Sequence, residues 1–125
     1  MLYTMLCYND EDVTTAWTEE EDAAVMARLK VVHRKWAKNF KPIVRLMPTS
    51  AATTLRKTEN VVLDGPFAET KEQLLGLYIL DVENLDVALQ IARDLTEANP
   101  GGAYELRPVW MYYPDGEAID DDPAS

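Results

Sequence analysis

The run Val61 to Val82, VVLDGPFAETKEQLLGLYILDV, sets a forced turn and a dense polar cluster between two apolar strands, which narrows the choice of fold more than any other stretch. Gly65-Pro66 bends the backbone, because Gly tolerates dihedrals closed to other residues and Pro presets its own φ. Asp64, Glu69, Lys71 and Glu72 fall within nine residues of each other beside that turn. Beyond them Leu74 to Val82 reads as an apolar strand whose side chains alternate. Leu75, Leu77 and Ile79 point one way, and Leu74, Tyr78, Leu80 and Val82 the other. Both faces of the sheet holding this strand therefore need cover.

The remaining elements follow from spacing. Leu2 to Tyr8 carries no charge and reads as a central strand, ended by Asn9-Asp10-Glu11-Asp12. Thr18-x-x-Glu21 has capping-box spacing, and Glu19 to Asp22 suit the positive end of a helix dipole. Val25, Leu29, Val32, Trp36 and Phe40 then form a stripe along one face of a helix of about six turns, which Pro42 stops. Ile43 to Met47 reads as a strand, and Thr53 to Lys57 pairs with Val61 to Leu63 as a hairpin with Asn60 at the bend. Asn84 caps a second helix to about Ala98, burying Leu85, Ala88, Leu89, Ala92 and Leu95. Asn99-Pro100-Gly101-Gly102 ends it, and Ala103 to Tyr113 forms a last strand. The expected fold is α+β: a ferredoxin-like βαββαβ subunit with an antiparallel sheet and two helices on one side. Residues 1–113 make the domain, and 114–125 read as an acidic disordered tail. Two helices cover one sheet face only, so a second copy is expected on the other, giving a homodimer.

Charge narrows the partners. The chain of 125 residues has 12 Lys plus Arg against 22 Asp plus Glu, a formal net charge of −10. Five of the acids, Asp115, Glu117, Asp120, Asp121 and Asp122, lie beyond the last basic residue, Arg107. Such a balance repels phosphate backbones and anionic lipid, so neither nucleic acid nor membrane is an expected partner. The single cysteine, Cys7, cannot close an internal disulfide, and Met1 to Tyr8 lacks the basic leader and length of an export signal. A cytoplasmic location is expected. No metal-ligand spacing, phosphate-binding glycine loop or catalytic-triad order is present, so no cofactor is expected.

Three stretches resemble the DGPF, or YCII-related, family. Tyr8-Asn9-Asp10-Glu11 is similar to the YGDE-type end of the first strand, Leu63-Asp64-Gly65-Pro66-Phe67-Ala68-Glu69-Thr70-Lys71-Glu72-Gln73-Leu74 matches the namesake motif, and Gly101-Gly102 to Arg107-Pro108-Val109 resembles the usual last strand. The resemblance covers roughly residues 1 to 110. It implies a ferredoxin-like subunit paired as a dimeric α+β barrel, with a cleft between sheet, loop and helix. It also implies a regulatory link, since bacterial relatives often sit beside extracytoplasmic-function sigma factors or are joined to them. The better-studied branch of the superfamily carries a His near the start of the first helix and an Asp before a Pro after the second, proposed as a dyad. Here those regions read Glu21-Asp22-Ala23-Ala24-Val25-Met26 and Ala98-Asn99-Pro100, without either partner.

Each candidate has a functional and a structural reading. Asp64 is a general base or substrate-orienting carboxylate, or it fixes the turn by accepting backbone N–H bonds. Lys71 with Glu69 and Glu72 binds an anion and moves a proton, or forms a solvated ion-pair network. Arg107, in mid-strand among apolar neighbours, is expected to meet Asp64, Glu72 or a bound anion. His33 flanks the apolar stripe as a partly buried helix histidine or as a proton-transfer group. Cys7 is expected to be inert. The candidate site combines Asp64, Lys71 and Glu72 as catalytic groups with Phe67, Tyr78, Arg107 and His33 as binding groups. Its ligand is expected to be small and polar or anionic, handled by acid–base chemistry without a metal. The alternative is a non-catalytic homodimeric interaction or regulatory module.

Overall fold

A computed structural model describes residues 1–116, so the tail beyond Gly116 lies outside the described residues. The elements run β1 (Leu2–Asn9), α1 (Glu11–Thr14), α2 (Glu19–Lys35), β2 (Phe40–Arg45), a 3₁₀ turn (Thr49–Ala51), β3 (Thr53–Arg56), β4 (Val61–Asp64), β5 (Gln73–Asp81), α3 (Leu85–Ala98) and β6 (Ala103–Pro108). Four strands form one sheet in the order β2-β5-β1-β6, with every neighbouring pair antiparallel. This is the strand order of a ferredoxin-like α+β fold, with β3–β4 as a separate hairpin inserted before the third main strand. No helix among the described residues is long and apolar enough to cross a membrane.

Local chemistry accounts for the element ends. Thr18 accepts the Glu21 amide at 3.0 Å and Glu21 accepts the Thr18 amide at 3.4 Å, completing the capping box. Asn84 caps α3 by accepting the Val87 amide at 3.1 Å. Asn60 turns the hairpin with φ +53°, a left-handed conformation that Asn tolerates. Of α3, Ala88, Ile91, Ala92, Leu95 and Ala98 are buried; of the residues expected there, Leu85 is exposed and Leu89 only partly buried, while Ile91 is fully buried. The buried ones pack with Tyr3, Met5, Tyr78, Leu80 and Val82 of the sheet and Val25 and Leu29 of α2 to form the core.

Two expected extents are corrected. The first long helix stops at Lys35 instead of continuing to Phe40. Trp36 is the C-cap, with φ −108° and ψ +23°, its indole N–H donates to Asp94 of α3 at 2.8 Å, and Phe40 opens β2, packing its ring on His33 and Tyr78. Pro42 lies inside that strand; β2 is a sheet edge with an irregular register between Phe40 and Ile43, where a missing N–H is tolerated. The last strand ends at Pro108 instead of Tyr113, since Pro108 pairs with Tyr3 and β1 begins only one residue earlier. Beyond that, Val109 donates to the Leu2 carbonyl at 2.9 Å and the partner strand is exhausted.

The helices lean on each other at defined points. Lys35 and Trp36 both donate to Asp94 at 2.8 Å, and Arg28 Nε donates to the Ala98 carbonyl at 2.8 Å, which occupies an acceptor at the C-terminus of α3. The hydrogen bond from Lys35, then that from Trp36, holds the Asp94 carboxyl below its usual range. Between β5 and β2, contact is so close that a Cβ on Gly76 would overlap the Val44 carbonyl oxygen. Gly76→Ala should therefore push β2 outward and cost about 1–3 kcal/mol. Urea unfolding checks this, and an unchanged midpoint would show that β2 yields freely.

Candidate functional site

Asp22, Met26, Leu29 and His33 recur along α2 at steps of four, three and four, so they share one helical face. That face does not seal against the sheet. Between it and strands β1, β5 and β2 lies an open cleft of about 490 Å³, with Cys7, Gly76 and Tyr78 on the floor. Ile43 to Pro48 forms the wall opposite α2, and the stretch from Tyr8 to Trp17 contributes to one end. Most of the lining is apolar, as is usual for a small-molecule pocket with few polar groups.

The polar groups on the floor are neutral at ordinary pH. Burial pushes the Cys7 thiol up to about 12. Burial, with the nearby Cys7 group adding to it, also raises the Tyr104 phenol to about 12. Tyr78 is shifted upward by burial first and then by Cys7 and Tyr104. His33 moves the other way, its imidazole held below its ordinary value by burial. His33 Nε2 and the Tyr78 hydroxyl are hydrogen-bonded at 3.2 Å, and the His33 ring also meets Phe40 and Tyr78 edge-on, with centroids 5.2 and 5.6 Å away. An uncharged imidazole beside a phenol O–H can accept a proton at neutral pH.

Charge is confined to the rim. Arg45 Nη2 pairs with Asp22 at 2.9 Å and Nη1 approaches the Met26 sulfur at 3.5 Å. Glu11 receives the Thr49 amide at 2.9 Å on one oxygen and the Thr49 hydroxyl at 2.7 Å on the other. The Glu11 amide donates to Gln73 Oε1 at 2.9 Å, and Gln73 Nε2 donates to the Thr70 carbonyl. The loop after the hairpin is thus tied to the cleft rim through Gln73.

The sequence-derived candidates divide between two places. His33 and Tyr78 line the cleft. Asp64 ends β4, and Phe67, Lys71 and Glu72 lie on the exposed segment between the hairpin and β5, outside the cleft lining. The turn expected to be fixed by Asp64 is held by others: the Gly65 amide donates to the Ala52 carbonyl at 2.7 Å, and the Thr54 hydroxyl donates to the Gly65 carbonyl at 2.8 Å. Neither Asp64 nor Lys71 forms an ion pair among the described residues. Arg107 corrects the expectation of a partner in Asp64 or Glu72, because it is exposed and pairs with Glu105, two residues back on the same strand, at 2.5 Å. Glu11, Arg45 and Tyr104 complete the cleft and were not among the candidates. Glu11 stood within the Tyr8–Glu11 motif, but its role depends on Thr49, 38 residues away.

The fold and this cleft together define a small α+β domain of the YCII-related type. The defining pattern of the YCII-related domain matches residues 1–112, and the chain belongs to that family. It is similar to an uncharacterized protein of Rhizobium meliloti, with 57% identity over 119 residues that cover 91% of this chain and 96% of that protein.

His33 also carries a pH signature. Burial disfavours its protonated form in the folded state, so the unfolded chain takes up the proton first as pH falls through 6.5, its ordinary value. Stability from this group is full above that pH and is lost as pH drops toward the lower folded-state value. The expected result is a falling stability just below pH 6.5 that flattens in His33→Asn, read by denaturant titration; an identical slope in both proteins would contradict the assignment.

Proposed function

We propose that the protein binds a small molecule in the cleft beneath α2 and, if it acts on that molecule, does so by proton transfer centred on His33 and Tyr78. The hydrogen bond of 3.2 Å between a neutral imidazole and a phenol, at the floor of a largely apolar space, is the observation that carries this reading. Cys7 and Tyr104 are uncharged neighbours, and Glu11 and Asp22 are the acids at the rim, Asp22 paired with Arg45. A thermal-shift panel of metabolites on wild type, Tyr78→Phe and Asp64→Asn tests the placement. One compound class should stabilise wild type and Asp64→Asn but not Tyr78→Phe. The reverse pattern would move the site to the hairpin loop, and silence across a broad panel would favour a module without a ligand.

A second reading, an interaction or regulatory module that works as a homodimer, has its own support. Leu6, Leu77 and Val44 stand side by side on the sheet face opposite the helices, with Ile79 in the next row. Val62, Leu63 and Phe67 are exposed on the hairpin and its following loop, at 65%, 45% and 72%. An isolated two-stranded hairpin is marginal in water, and an apolar face of this extent is rare on a monomer. We assign the open sheet face to a second copy, with the hairpin segment bearing Asp64, Phe67, Lys71 and Glu72 and the exposed Arg107–Glu105 pair at its margin. The two readings are compatible. Ultracentrifugation at micromolar concentration should give a dimer that Leu77→Asp converts to monomer; a wild-type monomer would remove the interface.

A further inference from the structure

Among the described residues, the charges lining the cleft are few enough to account for in full. Glu11 and Asp22 are its carboxylates and Arg45 its guanidinium, while His33 is neutral at pH 7. Two negative charges against one positive leave the cleft with a net charge of −1. Arg45 is spent on Asp22, at 2.9 Å. Among the described residues, the Glu11 carboxylate is met only by the neutral amide and hydroxyl of Thr49, which stabilise its negative charge without cancelling it. An anion would need a free cation, and the expected ones, Lys71 and Arg107, both lie outside the lining.

The walls around Glu11 point the same way. The stretch that carries it also brings Tyr8 and Trp17 to the cleft, and both are partly buried. Aromatic faces present the negative part of their quadrupole, which attracts a cation within reach. Glu11 at the rim is itself partly buried, and a carboxylate so placed interacts more strongly with a cation than one fully in water. The rest of the space, lined by Val25, Met26, Leu29 and Ile43, suits a hydrocarbon body.

We propose that the ligand of this cleft is a small organic cation: an apolar or aromatic body bearing a protonated amine, the charge answered by Glu11 and the body held between α2 and β2. This rests on the cleft being a small-molecule site, and it names the class that site accepts.

Three probes of one shape and different charge test it on the full chain at pH 7: 2-phenylethylammonium, 2-phenylethanol and phenylacetate, measured by calorimetry. The ammonium probe should bind best, with Glu11→Gln weakening it about tenfold and leaving the alcohol unchanged. Because Glu11 also holds Thr49, a second variant, Met26→Lys, brings the opposing charge without touching that contact. It should weaken the ammonium probe and improve phenylacetate. If phenylacetate binds wild type as well as the ammonium does, or if both variants leave the ammonium affinity intact, the cation assignment falls while the cleft stands. If none of the three binds wild type, the small-molecule reading falls with it.

Discussion

The clamp between α2 and α3 shapes everything else in this molecule. Asp94 gathers Lys35 and Trp36 at the end of α2, and Arg28 reaches the last carbonyl of α3. These contacts hold α2 to its neighbour helix, and β2, at the sheet edge, meets α2 through the Arg45–Asp22 pair and the packing of Phe40 on His33. A four-stranded sheet is wider than two helices so joined can seal. The unsealed part is the cleft. It lies over β1, β5 and β2, while α2 ends at Lys35 and Phe40 packs beside His33.

Burial then sets the chemistry inside. The thiol and phenols on the floor lie where a negative charge would be poorly solvated, and the imidazole lies where a positive one would be. All four are held in their uncharged forms, so the floor offers hydrogen bonds without net charge. The ionised groups stand at the rim, close to water, where they can be paired or left exposed at modest cost. Under the proposed reading, neutral depth and charged margin would let the cleft sort ligands by charge at its entrance and by shape beyond it.

Much of this could be read from residues in order. The capping box at Thr18, the cap at Asn84 and the bend at Asn60 depend on neighbours a few positions apart, and each is found where spacing placed it. The stripe through Phe40 overran the helix because the chain leaves helical dihedrals at Trp36 and Phe40 pairs with Leu80 in the sheet, a partner no helical period records. Pro42 marked a helix stop but serves as an edge-strand residue, a role that depends on sheet order. Arg107 misled for a similar reason: β6 is an edge strand, so a mid-strand position is open to solvent and a partner two residues away suffices. His33 and Tyr78 were legible as candidates, but not as a pair, since α2 and β5 meet only in the folded chain. The conspicuous polar run after Asp64 lies outside the cleft, although Gln73 at its end joins the two.

The central claim is that the working surface of this protein is the space between α2 and the sheet. A crystallographic screen of small fragments, neutral, cationic and anionic, tests it most directly. The account predicts that bound fragments cluster against His33, Tyr78 and Glu11, with amines over-represented. Fragments gathered beside Asp64, Phe67 and Lys71, with the cleft filled only by water, would contradict it.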